Sequence, residues 1–536
     1  MSGIRMKSVW TTAAVLAVAG AVALGAFGAL RHGGPPDARM SVIVQAREMA
    51  AAVALVRQAG GEVTHELAII NAVGARLTPG QVRSVRLSGN ARIFADRKVR
   101  TAGSNQDFAP YIIGASQLHA EGITGAGVTV AVLDTGVWQN LQNSLLQGYD
   151  ATTNTLGLTS VTDGSGHGSH VASLIANNEV GTSGYYNGVA PGATLIIVRA
   201  FDSNGRGSYA DVIRGINWIV ANKATYNIRV LNCSFSAPVH SWYWQDPLNM
   251  AIMAAWESGI TVVTSAGNGG PKPMTIGVPG NVPYVITVGA MTDSYTPSKP
   301  GDDKLASFSA AGPTFEGFPK PDVVAPGGHL TGIMKSSSTI PTLHPEFYDG
   351  SKYFIMSGTS QAAAVASGVA ALMLQANPNL VPDDVKCGMM ATANVARTTT
   401  SKGGTPYSIF QQGAGLVNAY NAVRIPYARC ANSGLDIVQD LLGTMHFAGP
   451  VAQDKKGNFV LTNQTGTGTT WNGSYSNTTG YPWSTGYPWS TGYPWSTGYP
   501  WSTGYPWSTG YPWSTGYPWS SSLVEPASIN FWVPQE

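Results

Sequence analysis

The feature that most limits how this chain folds is the alternation of apolar runs with helical segments between about residues 105 and 425. Val128–Leu133 is a continuous apolar run, as expected for a strand that is covered on both faces. Between such runs the sequence shows helical periodicity, and a helix is expected at Val171–Ala176. This βα alternation predicts an α/β domain with a doubly wound, mainly parallel sheet. The further strands are predicted at Thr194–Arg199, Val230–Ser234, Thr261–Ser265 and Val285–Gly289, and the further helices at Asp211–Ala221 and Pro247–Ser258.

The composition limits the classes of protein to which the chain can belong. It has 536 residues, of which 43% are hydrophobic and 11% charged, so it can bury a large core and exceeds one small domain. The formal net charge of +2 argues against a nucleic-acid partner. The three cysteines, Cys233, Cys387 and Cys430, exclude a disulfide-rich scaffold and form no CxxC metal motif. A Cys387–Cys430 bridge and three unpaired thiols both remain open at this point.

The first 31 residues have the pattern of a targeting segment. Arg5 and Lys7 precede an uncharged run from Ser8 to Leu30, which Arg31 closes. A basic flank before an apolar run predicts a signal peptide, and this is the interpretation we favour. The run is also long enough to cross a bilayer as an uncleaved anchor. In both cases the rest of the chain is predicted to be secreted or held at the cell envelope.

Residues 38–100 are predicted to form a small α+β unit with the element order β-α-β-β-α-β of a ferredoxin-like fold. Met40–Gln45 has strand composition, and Arg47–Ala59 has helical composition before two glycines. Val63–Leu77 reads as two strands around a turn, and Ala91–Val99 as a last strand. Thr78 is the expected N-cap of the second helix, with proline at its first position.

The chain changes character near its C-terminus. No charged residue occurs between Gly457 and Val524, and the hexapeptide Tyr-Pro-Trp-Ser-Thr-Gly begins at Tyr481 and recurs up to Tyr517. Because nearly every copy contains proline and glycine, the repeats are unsuited to a helix or a central strand. We expect a flexible stalk or a turn array. The predicted divisions are a linker over 426–479, the repeats over 480–522 and a tail over 523–536.

Three segments each place one reactive side chain beside glycine or another small residue. Asp134 ends an apolar strand, His167 lies between two glycines at a helix start, and Ser360 opens an Ala-rich helix over Gln361–Leu374. Taken singly, they have ordinary explanations as a turn aspartate, a core or surface histidine and an N-cap serine. Together they supply a nucleophile, a base and a group that orients the base, in the order Asp, His, Ser. The nearby His170 is expected to be structural.

A fourth segment adds an amide donor. Asn268 follows the predicted strand Thr261–Ser265 after an Ala-Gly pair. Acyl-transfer chemistry needs a donor directed at the oxyanion of the tetrahedral intermediate, and an asparagine amide can provide it.

These four segments, in this order, resemble those of the subtilisin-like serine proteases. The resemblance implies an exported serine endopeptidase with Asp134 orienting His167, His167 as general base and Ser360 as nucleophile. Asn268 and the Ser360 backbone N–H would then stabilise the oxyanion. Residues 38–100 resemble the family's inhibitory propeptide, which implies a zymogen released near residues 98–108. Supporting segments are Gly188–Ala193, Lys320–Gly327 and Gly413–Ala419.

The resemblance also implies a substrate pocket. Its walls would flank the P1 side chain, and a small residue at Gly277 would leave the pocket floor open. Because none of these positions is charged, we expect a broad endopeptidase that prefers large apolar or uncharged P1 residues. The wall positions are Ser234, Phe235, Ser236, Ser265, Ala266, Gly267 and Gly277.

The nucleophile segment departs from the family pattern. Gln361 stands where the family usually has methionine, and a following Pro-His is missing, so the helix is expected to begin differently and peroxide to do less harm. The chemistry requires no cofactor. Structural calcium is a family trait, although no acidic loop identifies a metal site in this sequence.

Two other functions are open beside the protease. One is a surface-attached binding or structural protein that uses a protease-like scaffold and aromatic repeats. The other, compatible with a protease, is that the repeats bind carbohydrate or cell wall through exposed Tyr and Trp faces. We expect a monomer whose partners are protein or peptide substrates and its own propeptide, with membrane or cell-envelope association also open.

Overall fold

A computed structural model describes residues 39–96, 106–141, 144–396, 406–427, 430–455 and 457–461, with four short stretches further on, 470–471, 493–494, 527–529 and 532–533. The chain divides into two compact units, Met1–Ala102 and Gly103–Glu536, and each is described by itself. The predicted targeting segment and most of the repeats lie outside the described residues. Within the described part, no helix is both long and apolar enough to span a bilayer.

The first unit has the predicted element order. Its antiparallel sheet has the strand order β2-β3-β1-β4, and its core includes Val44, Val56 and Leu77. Thr78 caps the second helix, and its hydroxyl accepts a hydrogen bond from the Gln81 N–H (3.3 Å). The elements are β1 (Met40–Gln45), α1 (Met49–Gln58), β2 (Glu62–Leu67), β3 (Ala72–Leu77), α2 (Pro79–Leu87) and β4 (Arg92–Ala95).

The second unit is built around a mainly parallel sheet. Its strand order is β14-β13-β12-β10-β5-β8-β6-β7, with β15 beside β13; only the pairings of β14 and β7 are antiparallel. The strands of this unit are β5 (Thr129–Asp134), β6 (Leu145–Asp150), β7 (Thr155–Leu156), β8 (Thr194–Arg199), β9 (Arg206–Gly207), β10 (Ile228–Cys233), β11 (Phe235–Ser236), β12 (Thr261–Ser265), β13 (Ile286–Thr292), β14 (Lys304–Leu305), β15 (Val323–Pro326), β16 (Leu330–Ile333), β17 (Tyr353–Met356), β18 (Phe447–Ala448), β19 (Val451–Gln453), β20 (Phe459–Leu461), β21 (Thr470–Trp471), β22 (Tyr493–Pro494) and β23 (Ala527–Ile529).

Strand β5 occupies the point at which the strand order reverses. The chain adds β8 and β6 on one side of β5, and β10, β12, β13 and β15 on the other. In open parallel sheets, a crevice forms at such a point beyond the carboxyl ends of the strands. All six residues of β5 are buried, which agrees with its continuous apolar sequence.

Helices pack against the sheet, and small residues line part of this contact. The Ala-rich α10 packs against α5 and against β10, β12 and β13, while α6 packs against α8. Residues 359–374 of α10 are all buried, because alanine and glycine let the neighbouring elements approach closely. The helices are α3 (Ala109–Ile112), α4 (Ala115–Ala120), α5 (His167–Ala176), α6 (Tyr209–Ala221), α7 (Lys223–Tyr226), α8 (Pro247–Glu257), α9 (Thr339–Leu343), α10 (Thr359–Ala376), α11 (Pro382–Ala391), α12 (Ile409–Gln412), α13 (Ala419–Arg424) and α14 (Ile437–Leu441).

The segment predicted as a linker is folded over much of its length, which corrects that prediction. Phe447 joins the main core, and Val451 and Phe459 form a smaller core with Phe410. A disulfide joins Cys387 to Cys430, so the segment is also tied covalently to α11. Its apolar residues lie in α14 and in strands of two or three residues, which are too short to show a hydrophobic period.

Candidate active site

Asp134 and His167 form a buried, hydrogen-bonded pair at the carboxyl edge of the central sheet. Asp134 ends β5, and its Oδ1 lies 2.7 Å from His167 Nδ1, with both side chains 0% exposed. The Thr135 N–H donates to the same oxygen (2.7 Å). A carboxylate in this position favours the imidazole tautomer with its proton on Nδ1. His167 Nε2 has no hydrogen-bond partner among the residues described and is available to take a proton.

A glycine brings the start of α5 against the loop that follows β5. A Cβ atom on Gly168 would lie 2.2 Å from the carbonyl oxygen of Gly136, a distance no side chain tolerates. The Gly168 N–H donates instead to Thr135 Oγ1 (2.9 Å). The glycine that follows His167 is therefore needed for close backbone approach.

Asp163 has no role in the sequence-based predictions, but it fixes the beginning of α5. Its Oδ1 accepts hydrogen bonds from Thr135 Oγ1 (2.9 Å) and from the Ser165 and Gly166 N–H groups (3.0 and 2.8 Å). Its Oδ2 accepts from the Ser169 N–H (2.8 Å) and hydroxyl (2.6 Å). This buried carboxylate ties the loop after β5 to the helix that carries the imidazole. The only signal in the sequence is an aspartate just before a helix start, which is common at helix N-termini generally.

Ser360 lies in the first turn of α10 and is fully buried. Its hydroxyl donates to the carbonyl oxygen of Ser234 (2.9 Å), and the Ser234 hydroxyl donates to the carbonyl oxygen of Ser360 (3.0 Å). A helix N-terminus carries a partial positive charge, which favours an anion formed at this side chain.

The sheet register brings Ser360 to the edge that carries Asp134. Leu133 of β5 pairs with Cys233 of β10, so the residues that follow, Asp134 and Ser234, leave neighbouring parallel strands side by side. Because Ser360 is hydrogen-bonded to Ser234, its hydroxyl lies at the same edge as the Asp134 carboxylate.

Asn268 is held so that its NH₂ group remains unpaired. Its Oδ1 accepts hydrogen bonds from the Thr359 N–H (3.0 Å) and hydroxyl (2.8 Å). The Nδ2 atom is buried and has no hydrogen-bond partner among the described residues. It would lie 3.5 Å from a Cβ atom on Gly358, beside the first turn of α10. Thr359 was not predicted from the sequence, yet it fixes the direction in which this amide donates.

The predicted substrate-binding residues lie on three adjacent stretches around this turn. The Ser265 hydroxyl donates to the carbonyl oxygen of Phe235 (3.1 Å), and the Gly277 N–H donates to that of Ala266 (3.3 Å). None carries a charge. The structure brings together Ser234, Phe235, Ser236, Ser265, Ala266, Gly267 and Gly277.

Three nearby residues have reactive or polar groups that do not serve as bases. Burial, and to a smaller extent the neighbouring His167, lower the pKa of His170 to about 3, so His170 stays neutral with its Nε2 near the carbonyl oxygen of Phe354 (3.1 Å). Burial raises the pKa of the Cys233 thiol, which leaves it protonated. Both amide atoms of Gln361 are buried without a partner in the described residues.

These groups define the class of protein. A hydroxyl at a helix start, an imidazole with an unpaired Nε2 and an unpaired amide donor are the chemical equipment of a serine hydrolase. Residues 125–415 match the model of the Subtilase family, which is more than half of the chain. The chain therefore belongs to the subtilase family and is a serine endopeptidase that acts on proteins or peptides and needs no cofactor for its chemistry.

Known proteins similar to this chain agree with the family assignment. Serine protease AprX of Bacillus subtilis is 35% identical over 404 residues, which cover 72% of this chain and 88% of the relative. Subtilisin E of Bacillus subtilis is 31% identical, with 69% and 85% covered. Fervidolysin from Fervidobacterium pennivorans, a keratinolytic enzyme related to subtilisin, has a TM-score of 0.47 at 23% identity, with 74% of this chain and 63% of that chain covered. The assignment rests on the sequence relatives.

Structural calcium is a trait of the family. In the part of the chain that the structure describes, no group of three or more His, Cys, Asp or Glu side chains is placed to hold a metal ion.

Proposed function

We propose that Asp134, His167 and Ser360 are the catalytic triad of this endopeptidase. The observation that carries the proposal is the buried Asp134–His167 pair, joined at 2.7 Å and leaving His167 Nε2 unpaired. Ser360 Oγ attacks the substrate carbonyl carbon while its proton passes to Nε2. His167 then gives the proton to the leaving amine, and water hydrolyses the acyl-enzyme by the same route. Asp134 stays ionised throughout and stabilises the imidazolium.

Asn268 and the Ser360 N–H are proposed to bind the oxyanion. The tetrahedral oxygen gains charge in the transition state, so donors already fixed in direction stabilise it without reorganisation. The hydrogen bonds from Thr359 to Asn268 Oδ1 support this role, because they fix the orientation of the amide and leave its NH₂ group free to donate.

The uncharged walls support a preference for large apolar or uncharged P1 residues. A Cβ atom on Gly277 would lie 2.8 Å from the Ala237 carbonyl oxygen and 3.1 Å from Ser236 Cβ, so a larger residue there would crowd the proposed pocket. Cleavage of a peptide library should give P1 Phe, Tyr, Leu or Met well ahead of Asp, Glu, Lys or Arg. A Gly277→Val variant should lose the large P1 residues first, and an unchanged profile would contradict this pocket.

We further propose that the enzyme is exported and made as a zymogen. The boundary between the two compact units, at residues 102 and 103, falls within the range 98–108 predicted for propeptide release. The first unit has its own core, as an independently folding inhibitor requires. The basic flank and apolar run of residues 1–31 support export.

The test compares the full chain with its Ser360→Ala variant. The parent should process near residue 100, hydrolyse casein and react with a fluorophosphonate probe, and Ser360→Ala should do none of these. Ser337→Ala, at an exposed serine, is the matched control and should keep all three activities. If parent and Ser360→Ala behaved alike, the triad would be wrong, and the alternative of a binding protein with a protease-like scaffold would gain support.

A further inference from the structure

The C-terminal tail supplies the middle strand of a sheet beside the proposed nucleophile. β23 pairs antiparallel with β11 on one side and with β9 on the other, in the order β11-β23-β9. Ile529 lies opposite Phe235, and Ser528 lies opposite Ser236. On the other edge, Ala527 lies opposite Gly207.

The position of β11 makes this pairing important. It begins directly after Ser234, whose carbonyl oxygen accepts the Ser360 hydroxyl hydrogen bond. Because β23 runs antiparallel to β11, its residues approach Ser234 and Ser360 in the order 527, 528, 529. A peptide substrate that paired with the same strand in this direction would present its following residues to the nucleophile.

The first two residues of β23 differ in burial. Ala527 is 0% exposed, and Ser528, the next residue, is exposed. Further along, Val533 is also buried and belongs to the main core. The tail is thus packed at both ends of the stretch.

Beyond β23 the tail reaches the other side of the catalytic groups. The Trp532 ring stacks on His344, with ring centroids 3.7 Å apart and planes within 7° of parallel, and it packs with Phe354. Met334 belongs to the same apolar cluster, and its sulfur would lie 3.0 Å from a Cβ atom on Gly166, the residue before His167. The pocket for Trp532 therefore adjoins the helix start that carries the imidazole.

We infer that Ala527–Ile529 and Trp532–Val533 act as an internal competitive inhibitor, which occupies the peptide-binding groove on both sides of the triad. The inference rests on the proposed triad and groove. Substrate must displace the tail before it can pair with β11 and β9, so the tail raises KM and leaves kcat unchanged. A tethered segment competes at an effective concentration of about 1 mM, so a tail with a Kd of about 0.1 mM would raise KM about tenfold.

The first test removes the tail. The full chain and a chain that ends at residue 522 are matured and titrated with a fluorophosphonate, and KM and kcat are measured with a chromogenic peptide. The truncated enzyme should show the lower KM and the same kcat. A synthetic peptide of residues 523–536 should restore the higher KM competitively, and its scrambled version should not. The intact mass of the mature enzyme shows whether it has kept its tail. If the tail has been lost, the added peptide still tests whether this sequence competes with substrate.

A matched pair of point variants separates inhibition from simple stabilisation. Ala527→Arg places a long charged side chain at a buried position and should lower KM as truncation does. Ser528→Arg makes the same substitution at the neighbouring exposed position and should leave KM near the parent value. Equal KM for full and truncated enzymes, or a tail peptide that does not compete, would overturn the inference. A lower melting temperature with unchanged KM would also overturn it, because the tail would then be only a structural strand.

Failure of the proposed function gives a different result. If the fluorophosphonate does not label Ser360 in either chain, the triad itself is wrong. If both chains are labelled to the same extent but share one KM, only the inhibitory tail is wrong.

Discussion

Replacement of Thr359 by valine tests whether the direction of the Asn268 amide matters for catalysis. Valine has nearly the shape of threonine but lacks the hydroxyl that donates to Asn268 Oδ1 at 2.8 Å. The backbone N–H of residue 359 still donates to the same oxygen at 3.0 Å, so the amide keeps one of its two restraints. The Gly267 N–H also loses its acceptor, the Thr359 hydroxyl, at 3.2 Å.

The size of the effect follows from these contacts. A hydrogen bond of this kind contributes about 0.5–1.5 kcal/mol, so kcat should fall by about 2- to 10-fold. Loss of the whole donor, in Asn268→Leu, should reduce kcat by about 10²- to 10³-fold, the effect known for such a donor in a subtilisin. KM should change little in either variant, because the oxyanion exists only in the transition state.

The decisive assay is a double-mutant cycle with enzyme concentrations set by fluorophosphonate titration. Thr359→Val should cost less kcat in Asn268→Leu than in the parent, because the part of its effect that passes through the amide is already lost there. Only the part that comes from the Gly267 N–H remains in both backgrounds. Ala376→Ser, at an exposed position of the same helix, serves as the control for substitution in α10. The reasoning is refuted if Thr359→Val lowers kcat equally in both backgrounds, or if the loss appears in KM.

Three further predictions concern stability and oxidation, the first two measured in the Ser360→Ala background to prevent self-digestion. Asp163→Asn replaces one acceptor oxygen by an NH₂ group, which then faces the Ser169 N–H and hydroxyl donors. Because hydrogen bonds to a charged group contribute about 1.5–3 kcal/mol each, urea unfolding should show that the free energy of unfolding falls by about 3 kcal/mol or more. A decrease below about 0.5 kcal/mol would contradict the role of this carboxylate. Burial, with a smaller effect of His167, lowers the pKa of His170 from 6.5 to about 3, so the unfolded chain binds more protons than the folded chain between these pH values. Stability should therefore decrease as the pH is lowered from about 6.5 to about 3, by up to about 1.4 kcal/mol per pH unit. His170→Gln should flatten this dependence, and an unchanged slope would exclude this residue. Gln361→Met should make hydrolysis more sensitive to peroxide than it is in the parent. If parent and variant lost the same fraction of activity on peroxide treatment, residue 361 would not be the site of oxidation.

Much of the fold could be predicted because its central strands are buried on both faces. Thr194–Arg199 and Thr261–Ser265 have the predicted bounds, because short apolar runs that are rich in β-branched residues and closed by glycines and polar residues favour an interior strand over a helix. The helix at His167 begins four residues before the predicted Val171, because the polar and glycine residues of its first turn have no apolar period. Their burial follows from tertiary contacts that the sequence does not display.

In the candidate site, too, residues with a local sequence pattern were predicted, and residues defined by tertiary contacts were missed. Asp134, His167, Ser360 and Asn268 stand beside small residues at strand or helix ends, and this local pattern can be read directly. Thr359 acts on Asn268, which is far away in the sequence, whereas Asp163 bonds to residues up to six positions on and to the more distant Thr135. Both carry only the composition of ordinary turns and caps. Positioning residues of this kind become visible only when their hydrogen-bond partners are known.

The pairing of the tail with β9 and β11 could not be predicted from the sequence, because these two strands are very short. β9 and β11 each contain two residues and pair with β23 rather than with one another. Strands this short cannot form a stable sheet alone, and without a middle strand their backbone groups would need other hydrogen-bond partners. A groove of this kind is built to receive an extended segment, and it discriminates by side-chain size at positions such as Ala527 more than by backbone pairing. Because any extended chain can satisfy the backbone, the segment with the highest local concentration fills the groove, and at rest that segment is the chain's own C-terminus. Substrates must therefore compete through their side chains, which makes P1 and its neighbours decisive for turnover in the full chain and less so once the tail is removed.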